Sequence, residues 1–548
     1  MEKYKKILSV LLIIMLMVVQ LVPILNVKAE GTTITMYGEN EEGINPNLVT
    51  NEGRLCVYNV DNGDEFAAYK IIDVFYDKET NEMTYDFTSN FKMFLNQAEN
   101  YGDSFTVEKY FALTSDNPDG SASTSVITTS TLNILVSKYT TYIRNNNIKS
   151  DKELITNSQV EVRVAAADVV AGAYLIIPTK VNTGYDVYDY NAPSSRLEVF
   201  RNMYGVIVAN VVFSSYQGNW VLNRGDVYAK KTENEFDTML FEFSLEQYND
   251  YINGIDIGDV SLYYQQNISS YSGKKYCYTL ENWEKNFNFP TNAISKHFVY
   301  TIEVPEGLDY DKATIGTVSF FGDQFTLIKN RKVVVNGSEI GTISFVDNKI
   351  IIEITQNEYF LLGFSFWLND KAIVGDAGNV IKTTLTVTDD PYVENSTTNL
   401  ELENTIYTYG LELTNLSKDD SILLKGAKYE IYSKYTDSDL KNKIGEFTVG
   451  EDGKASFAGV PAGTIYLKQV KAPIGYQLIK EPIAVEIATE GATAGTKEGY
   501  YKVITYNDTM WYLPSTGGIG TILYTVIGLL VIGLSTYAIV YYRKKKFN

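Results

Sequence analysis

The chain has 548 residues, of which 45% are hydrophobic and 13% aromatic, and its formal net charge at pH 7 is −20. This composition favours a folded protein over a disordered stalk, and the acidic balance argues against nucleic-acid binding, which needs a basic surface to neutralise phosphates. A single histidine, His297, argues against a Ser-His-Asp triad and a histidine metal site, so we expect no catalytic residue, no metal and no cofactor.

The two cysteines, Cys56 and Cys277, lie far apart in the sequence. A disulfide framework needs several cysteines at regular spacings, so this chain does not have one. We expect two buried thiols in different domains, and the sequence leaves any role for them open.

The first 29 residues have the pattern of a secretory signal peptide. A lysine-rich start precedes a mostly apolar stretch over residues 7–22, and Val27-Lys28-Ala29 fits a small-residue cleavage site. An N-terminal membrane helix is the alternative, but the apolar stretch is short for one. We therefore predict that residues 1–29 are a signal peptide cut between Ala29 and Glu30.

Residues 30–228 are predicted to form a first domain of strands with some helix. Apolar residues at helical spacing predict a helix over residues 130–144. These residues are Leu132, Leu135, Val136, Tyr139 and Ile143. Two segments rich in β-branched and aromatic residues, 162–177 and 204–213, predict buried strands.

Residues 229–408 are predicted to form an all-β middle domain. Strand-like residues 331–335 and 339–345 flank Asn336-Gly337, which is a strong hairpin signal because it supplies the positive φ of a type I′ turn. The stretch 372–391 resembles the end of a collagen-adhesin A-type domain, and this resemblance implies an immunoglobulin-like β-sandwich.

Residues 409–509 resemble a collagen-adhesin B-type domain. Its signature strand matches Leu424 to Tyr432, its hairpin matches Asp452 to Phe457, and its E-box, YxLxETxAPxGY, matches Ile465 to Tyr476. The resemblance implies a second small immunoglobulin-like β-sandwich. The expected fold class is therefore mainly β, with tandem immunoglobulin-like sandwiches and some helix in the first domain.

Residues 510–548 combine three features at fixed spacing. Leu513-Pro514-Ser515-Thr516-Gly517 precedes an uncharged apolar run over residues 519–542, and a basic tail follows. The run is long enough to span a bilayer, and the basic tail is expected to stay cytoplasmic. A plain membrane anchor is the alternative, but it does not explain the pentapeptide. Together the features resemble the LPxTG sorting signal of Gram-positive surface proteins.

The resemblance to an LPxTG signal implies partners and a location. A sortase would cut between Thr516 and Gly517, keep the Thr516 acyl group as a thioester and pass it to an amine. The chain would lie in the membrane before sorting, and afterwards on the cell surface, anchored to the Gram-positive cell wall through peptidoglycan.

A candidate for the accepting amine lies between the first two domains. The segment Trp220-Val221-Leu222-Asn223-Arg224-Gly225-Asp226-Val227-Tyr228-Ala229-Lys230 resembles the pilin motif of sortase-assembled backbone pilins, which ends in VYPK. The resemblance implies that Lys230 joins Thr516 of another copy of the chain. Ala229 replaces the usual proline, and Lys231 is an alternative nucleophile. Considered alone, Lys230 is better explained as a solvated linker lysine, and the sorting signal and the upstream tryptophan favour the functional interpretation.

The same family often locks its sandwiches with an internal Lys–Asn isopeptide bond assisted by Glu or Asp. In the C-terminal domain the resemblance places Asn415 at the lysine position, Gln469 at the glutamate position and Asn507 at the asparagine position. A glutamine cannot move protons, even if Lys418 supplied the amine, so we predict that this domain forms no such bond. The corresponding asparagine position of the middle domain is Ile381, and cross-links in the first two domains stay open.

These features predict a structural subunit of a covalent surface pilus that supports adhesion or colonisation. Its partners would be a sortase, further copies of itself in a head-to-tail polymer, minor pilins and peptidoglycan. The alternative is a monomeric wall-anchored adhesin, or a minor pilin, that binds a host ligand. A cell-wall enzyme is the weakest hypothesis, because no catalytic motif accompanies the single histidine.

Overall fold

Three groups of β-sheets follow one another along the chain in the computed structural model. The structure describes residues 52–546 except for 78, 98–104, 115–129, 157–162, 189–195, 217–218, 253–265, 283–288, 290–292, 313–315, 318, 321–323, 330, 357, 437–438, 488–498 and 511–518. The predicted signal peptide with its cleavage site at Ala29 and Glu30, and the pentapeptide Leu513–Gly517, lie outside the described residues.

The first group is built on an eight-stranded sheet. The strands up to the predicted first boundary are β1 (Glu52–Tyr58), β2 (Glu65–Asp77), β3 (Glu82–Phe87), β4 (Lys152–Thr156), β5 (Val164–Val170), β6 (Gly172–Lys180), β7 (Thr183–Tyr188), β8 (Arg196–Tyr204), β9 (Ile207–Val211), β10 (Phe213–Tyr216), β11 (Asn219–Leu222) and β12 (Gly225–Tyr228). The sheet has the order β12-β1-β5-β4-β2-β6-β9, with β3 beside β2, and β10 and β11 form a separate hairpin. Strand β12 runs parallel to β1, so the chain leaves this sheet along its edge.

Three helices accompany the first sheet: α1 (Ser89–Leu95), α2 (Val107–Thr114) and α3 (Ser130–Asn146). The five apolar residues that predicted a helix over residues 130–144 are all buried on one side of α3. Tyr139 packs there against the rings of Phe91 and Phe94 of α1, with ring centroids 4.7 and 5.0 Å away. The predicted helix is confirmed, because residues three and four apart share the face that this aromatic cluster buries.

The middle group has two sheets and a short helix, α4 (Leu245–Ile252). Its strands are β13 (Lys231–Phe241), β14 (Asn267–Ser269), β15 (Tyr276–Asn282), β16 (Phe298–Glu303), β17 (Leu308–Tyr310), β18 (Gly316–Thr317), β19 (Ser319–Phe320), β20 (Gln324–Lys329), β21 (Lys332–Val335), β22 (Ser338–Val346), β23 (Lys349–Ile354), β24 (Phe360–Leu368), β25 (Asn379–Thr388) and β26 (Thr397–Tyr407). One sheet has the order β17-β24-β15-β13-β8-β7, and the other has the order β14-β26-β25-β16-β23-β22-β21-β20-β19.

The predicted hairpin of the middle group is confirmed. Strands β21 and β22 are antiparallel, and the two residues between them have positive φ angles, 49° at Asn336 and 83° at Gly337. A type I′ turn needs this conformation at both positions, and asparagine and glycine tolerate it best. Asp347, with φ 52°, begins the next turn into β23.

Strands β7 and β8 belong to a sheet of the middle group although they precede residue 228 in the sequence. Strand β8 pairs with β13 from Lys231–Tyr204 to Asp237–Glu198, and β7 pairs with β8. The first two groups are therefore joined by hydrogen-bonded strands as well as by the chain. The division into domains at residues 228 and 408 stays a prediction.

Side chains of α3 also contact the loop after β25. The Nε of Arg144 donates a hydrogen bond to Asp390 Oδ2 at 2.8 Å, and both side chains are only about a fifth exposed. The hydroxyls of Ser137 and Tyr392 lie 3.3 Å apart nearby. A partly buried, hydrogen-bonded ion pair constrains orientation more than an exposed pair does, so this contact helps to fix the middle group against the first.

The third group is a small two-sheet sandwich. Its strands are β27 (Tyr409–Ser417), β28 (Lys428–Thr436), β29 (Asp439–Thr448), β30 (Lys454–Val460), β31 (Gly463–Lys471), β32 (Ile483–Ile487) and β33 (Tyr500–Asn507). The sheets have the orders β30-β27-β33 and β29-β28-β31-β32. Thr408 alone separates β26 from β27; it is fully buried, and its hydroxyl donates to the Val460 carbonyl at 3.3 Å.

The expected fold class is confirmed: the structure is mainly β, with tandem immunoglobulin-like folds. Cys56 of β1 and Cys277 of β15 are both buried free thiols in different groups, as expected. The last element is helix α5 (Ile519–Lys545). Its residues Ile522–Lys545 have a mean hydropathy of 2.1 and are long and apolar enough to cross a membrane.

Candidate functional site

The backbone around Lys230 is held from two sides where the first sheet passes into the middle group. The Ala229 N–H donates to the Tyr58 carbonyl at 2.9 Å, and Asn59 Nδ2 donates to the Ala229 carbonyl at 2.9 Å. On the other side, the Gly205 N–H donates to the Lys230 carbonyl at 3.0 Å. A proline at position 229 has no N–H and would lose the first of these bonds. Alanine at position 229 keeps this hydrogen bond, which explains why it stands in place of the usual proline.

The two candidate lysines differ in their surroundings. Lys230 is exposed, and its ammonium makes no ion pair with any residue that the structure describes. Lys231 Nζ lies 3.3 Å from Asp61 Oδ1 and 3.5 Å from Oδ2, and these side chains are only 23% and 19% exposed. Of the two amines, Lys230 is accessible to a bulky acyl-enzyme, whereas Lys231 is held in a partly buried ion pair.

Asp61 also contacts two side chains that the sequence did not predict to lie at this site. Arg163 Nη1 lies 3.0 Å from its Oδ1, and Asn202 Nδ2 donates to its Oδ2. Lysine, carboxylate and asparagine thus meet, as in the internal cross-link that the family resemblance implies. However, Asn202 Oδ1 accepts no hydrogen bond from the described residues, so the Lys231 amine does not donate to that carboxamide.

The three amide residues aligned with the family's cross-link meet in the core of the third group. Asn415 of β27, Gln469 of β31 and Asn507 of β33 are all fully buried. Gln469 Nε2 donates to Asn507 Oδ1 at 3.1 Å, and Asn507 Nδ2 donates back to Gln469 Oε1 at 2.9 Å. This reciprocal pair joins the position that the resemblance gives to the assisting glutamate with the position that it gives to the bonded asparagine.

Backbone and hydroxyl groups complete the amide cluster. The Ile479 N–H donates to Gln469 Oε1 at 2.8 Å, and Asn507 Nδ2 also donates to a backbone carbonyl at 2.7 Å. Asn415 Oδ1 accepts from Thr505 at 2.9 Å and from Tyr429 at 3.3 Å. The described side chains within the cluster are all neutral. Their polar atoms are partnered, as buried polar groups need to be.

Lys418, the alternative lysine for this domain, lies outside the cluster. Its side chain is 63% exposed, and Nζ lies 3.1 Å from Asp508 Oδ1. The exposed Lys418 side chain therefore does not supply the buried nucleophile that an internal cross-link needs.

The middle group has an analogous neutral contact between its first and last strands. Thr238 of β13 donates from Oγ1 to Asn404 Oδ1 of β26 at 2.6 Å, and Asn404 Nδ2 donates to the Gln266 carbonyl at 3.1 Å. Asn404 and Thr238 are both fully buried. Ile381, which stands where the resemblance places an asparagine, pairs with Asn404 across the strands and contributes to the apolar core.

Comparison with known proteins gives two family matches at the C-terminal end. Residues 410–499 match the prealbumin-like fold domain SpaA, and residues 508–546 match the LPXTG cell wall anchor motif. The C-terminal part of the chain therefore joins a prealbumin-like domain to a cell wall anchor, which places the protein at the cell surface. The predicted sorting signal and surface location are thereby confirmed.

A curated relative and two solved structures are also similar to this chain. The trypsin-resistant surface T6 protein of Streptococcus pyogenes serotype M6 is 25% identical over 228 residues, which are 38% of this chain and 41% of the relative. The T6 backbone pilin structure, described as a modular three-domain protein, has a TM-score of 0.52 at 16% identity over 80% of each chain. The major pilin SpaD of Corynebacterium diphtheriae has a TM-score of 0.46 at 14% identity, covering 86% of this chain and 99% of that one.

The matched region thus spans about two fifths of the curated relative's length. The T6 structure shows a shared fold over most of this chain. The activity and the assembly partners of the whole protein are therefore proposals.

A buried carboxyl lies close to the lysine junction. Asp64 is fully buried, accepts a hydrogen bond from the Tyr204 hydroxyl at 2.6 Å and another from the Asn182 N–H at 2.9 Å. Burial has the largest effect and raises the pKa of Asp64 above its ordinary value, although both hydrogen bonds act in the opposite direction. Compared with the unfolded chain, the folded structure therefore favours the protonated form of Asp64.

This raised pKa predicts how stability depends on pH. A carboxyl with a raised folded-state pKa contributes stability that is fully present below its unfolded pKa of about 3.9 and is lost as pH rises through the folded-state pKa. Asparagine does not titrate. In Asp64→Asn the free energy of unfolding is therefore expected to fall less steeply as the pH rises above the unfolded-state pKa, by up to about 1.4 kcal/mol per pH unit. Denaturant unfolding of the soluble chain, residues 30–509, at a series of pH values measures it.

The control for this test is Asp168→Asn, which removes an ion-paired carboxylate whose side chain is 43% exposed. The control is expected to keep the wild-type pH profile. Identical profiles for wild type and Asp64→Asn would contradict the prediction.

Proposed function

We propose that this chain is the structural subunit of a covalent surface pilus, in which Thr516 of one copy is joined to Lys230 of the next. The LPXTG match and the fold shared with the T6 backbone pilin support this proposal. The observation that carries it is the contrast at the junction: Lys230 is exposed and unpaired among the described residues, whereas Lys231 is paired with Asp61. The chain itself supplies no catalyst; the sortase does.

The proposed joining reaction has two steps. The sortase thiolate attacks the Thr516 carbonyl carbon, the Thr516–Gly517 bond breaks, and Gly517 leaves as an amine. The neutral Lys230 amine then attacks the thioester, forms an amide and releases the thiolate. An ordinary lysine pKa near 10.4 leaves little neutral amine at pH 7, so a base of the sortase has to take up the proton.

The position of Lys230 suits a load-bearing joint. It lies between β12, which ends the first sheet, and β13, which begins a sheet of the middle group. The Lys230 carbonyl accepts a hydrogen bond from the Gly205 N–H. The Ala229 N–H donates to the Tyr58 carbonyl, and the Ala229 carbonyl accepts from the Asn59 side chain. Tension applied to the Lys230 side chain would therefore pass into two sheets instead of stretching a loop.

Two matched substitutions test the joint. We expect Lys230→Arg to abolish the ladder of covalent polymers in cell-wall extracts, because arginine keeps the charge but does not act as the nucleophile. We expect Lys231→Arg to keep the ladder, because arginine still pairs with Asp61. A denaturing gel of wall extracts, probed for this protein, measures both.

Other outcomes of that gel decide between the hypotheses. A ladder that survives Lys230→Arg but is lost in Lys231→Arg would assign the joint to Lys231. A single band from the unmutated strain would reject polymerisation and leave a monomeric wall-anchored adhesin or a minor pilin.

We further propose that the third domain carries no internal isopeptide bond. The neutral cluster of Asn415, Gln469 and Asn507 contains the electrophilic carboxamide, but it lacks an amine to attack it and a carboxyl to move protons. Hydrogen bonds between amides, each contributing about 0.5–1.5 kcal/mol, take the place of the covalent bond.

Restoring the missing groups tests this proposal. We expect the intact mass of the natural domain to equal the sequence mass, and the double variant Asn415→Lys with Gln469→Glu to be lighter by one ammonia. The introduced lysine would lie on β27 two residues from the position that pairs with Asn507. Mass spectrometry of the folded protein, followed by peptide mapping, measures the change.

The single variant Gln469→Glu is the control and is expected to keep its ammonia, because it still lacks the amine. Loss of ammonia from the unsubstituted third domain would overturn the proposal.

A further inference from the structure

The end of the third domain that leads to the sorting signal carries an exposed apolar surface. We call it the apolar rim and define it by five side chains. These are Ile474 (96% exposed), Leu478 (44%), Ile504 (56%), Tyr506 (50%) and Met510 (54%). A soluble protein rarely leaves such a group of large apolar side chains uncovered unless something binds there.

The rim is continuous because of the strand that ends there. Ile504 and Tyr506 are two residues apart on β33 and therefore point to the same side, away from the core. The Met510 N–H donates to the Gly475 carbonyl at 2.9 Å, which brings Ile474 beside the end of that strand. Among the described strands, β33 pairs along its length only with β27, so the rim lies at a sheet edge.

We propose that the apolar rim docks on the next copy of the same chain, on the surface around Tyr228 beside Lys230. The proposal rests on the proposed Thr516–Lys230 joint. Thr516 is six residues beyond Met510, and six residues reach at most about 22 Å when fully extended. Once the joint forms, the rim is therefore confined to the neighbourhood of that surface.

The receiving surface offers a matching aromatic group. Tyr228 is 59% exposed and stacks on Tyr58 with ring centroids 5.2 Å apart. It lies two residues before Lys230, which is where the tether ends. An exposed, supported aromatic ring is a common anchor for apolar side chains at interfaces.

Charge is also complementary across the joint. The loop beside the rim carries Asp419 and Asp420, which form no ion pair with the residues described, and Thr509 donates to Asp419 at 2.8 Å, which places this loop next to Met510. On the receiving side, Lys230 is an unpaired cation until it is acylated. Until the joint forms, these opposite charges favour the approach of the two copies; afterwards Lys230 is a neutral amide, and the apolar contact holds the docked state.

The size of the rim indicates when it binds. A few side chains bury much less than the roughly 1,200–2,000 Å² of a stable interface, so free monomers should not associate through it. A covalent tether of six residues raises the effective concentration of the partner surface to the order of millimolar. The rim therefore docks after the joint has formed and stiffens the polymer at each link.

A membrane is the other surface near the rim, since α5 begins nine residues after Met510. The unpaired carboxylates of Asp419 and Asp420 disfavour burial at a lipid surface. The tether, by contrast, brings a second copy to the rim without this cost, so we prefer the second copy, and the experiment includes the membrane as an outcome that rejects the proposal.

Disulfide trapping in the full-length protein tests the contact. Ile474→Cys combined with Tyr228→Cys is expected to give a disulfide between neighbouring subunits of the polymer, detected by peptide mapping of the wall extract. The native thiols, Cys56 and Cys277, are buried and do not compete. The same pair in a Lys230→Arg background is expected to give none, because the tether is missing. Val346→Cys with Tyr228→Cys is the matched control, since Val346 is 51% exposed on the middle domain.

The outcomes separate this proposal from the proposed function. A normal ladder without the 474–228 disulfide overturns the docking and leaves the joint intact, whereas the absence of any ladder in the wild type rejects the joint itself. Ile474→Asp is expected to keep the amount of ladder and to make the polymers more curved in electron micrographs, with Val346→Asp unchanged. Less ladder with unchanged curvature would assign Ile474 to the membrane-bound precursor and would overturn the docking.

Discussion

The rest of the structure depends on the hydrogen-bonded backbone at Ala229 and Lys230, where the first sheet passes into the middle one. The Ala229 N–H is bonded to Tyr58, and the Lys230 carbonyl is bonded to Gly205. Because each peptide is tied to a different strand or turn, the junction is part of both sheets. Strands β7 and β8 reinforce it, since they leave the first group and pair with β13. An exposed lysine at this place is rigid at its backbone and free only at its side chain.

The same principle explains how the third domain bears load. Tension in a head-to-tail polymer would enter through β27, which follows Thr408, and leave through β33, which leads to the sorting signal. These strands are adjacent and parallel, in register from Gly410–Tyr500 to Ser417–Asn507. Pulling the start of one and the end of the other loads their hydrogen bonds together, in shear. The strength of the domain then depends on cooperative breaking of the whole ladder, and each bond contributes only about 0.5–1.5 kcal/mol.

Local patterns were enough to predict the elements that depend on local chemistry. The apolar spacing in α3 and the Asn336-Gly337 turn each contain their own cause, and the LPxTG signal is a contiguous motif. The contacts that position the candidate site are different, because they join residues far apart in sequence. Asp61 meets Lys231 across 170 positions, and Thr238 meets Asn404 across 166. No periodicity or spacing predicts these pairs, and the pairing of β7 and β8 with the middle sheet was missed for the same reason.

In the proposed absence of a covalent cross-link, the amide cluster supplies the polar contacts in the core of the third domain. A buried lysine beside a buried carboxylate that failed to react would leave two desolvated charges, at a cost of several kcal/mol for each ion. Carboxamides at both positions avoid that cost, provided that each polar atom finds a partner. Gln469 and Asn507 meet this condition by pairing with each other in both directions. Such a pair holds the strands together and, unlike an isopeptide bond, can break and form again. Under the proposed absence of an isopeptide bond, the third domain would unfold under tension and refold when the tension falls.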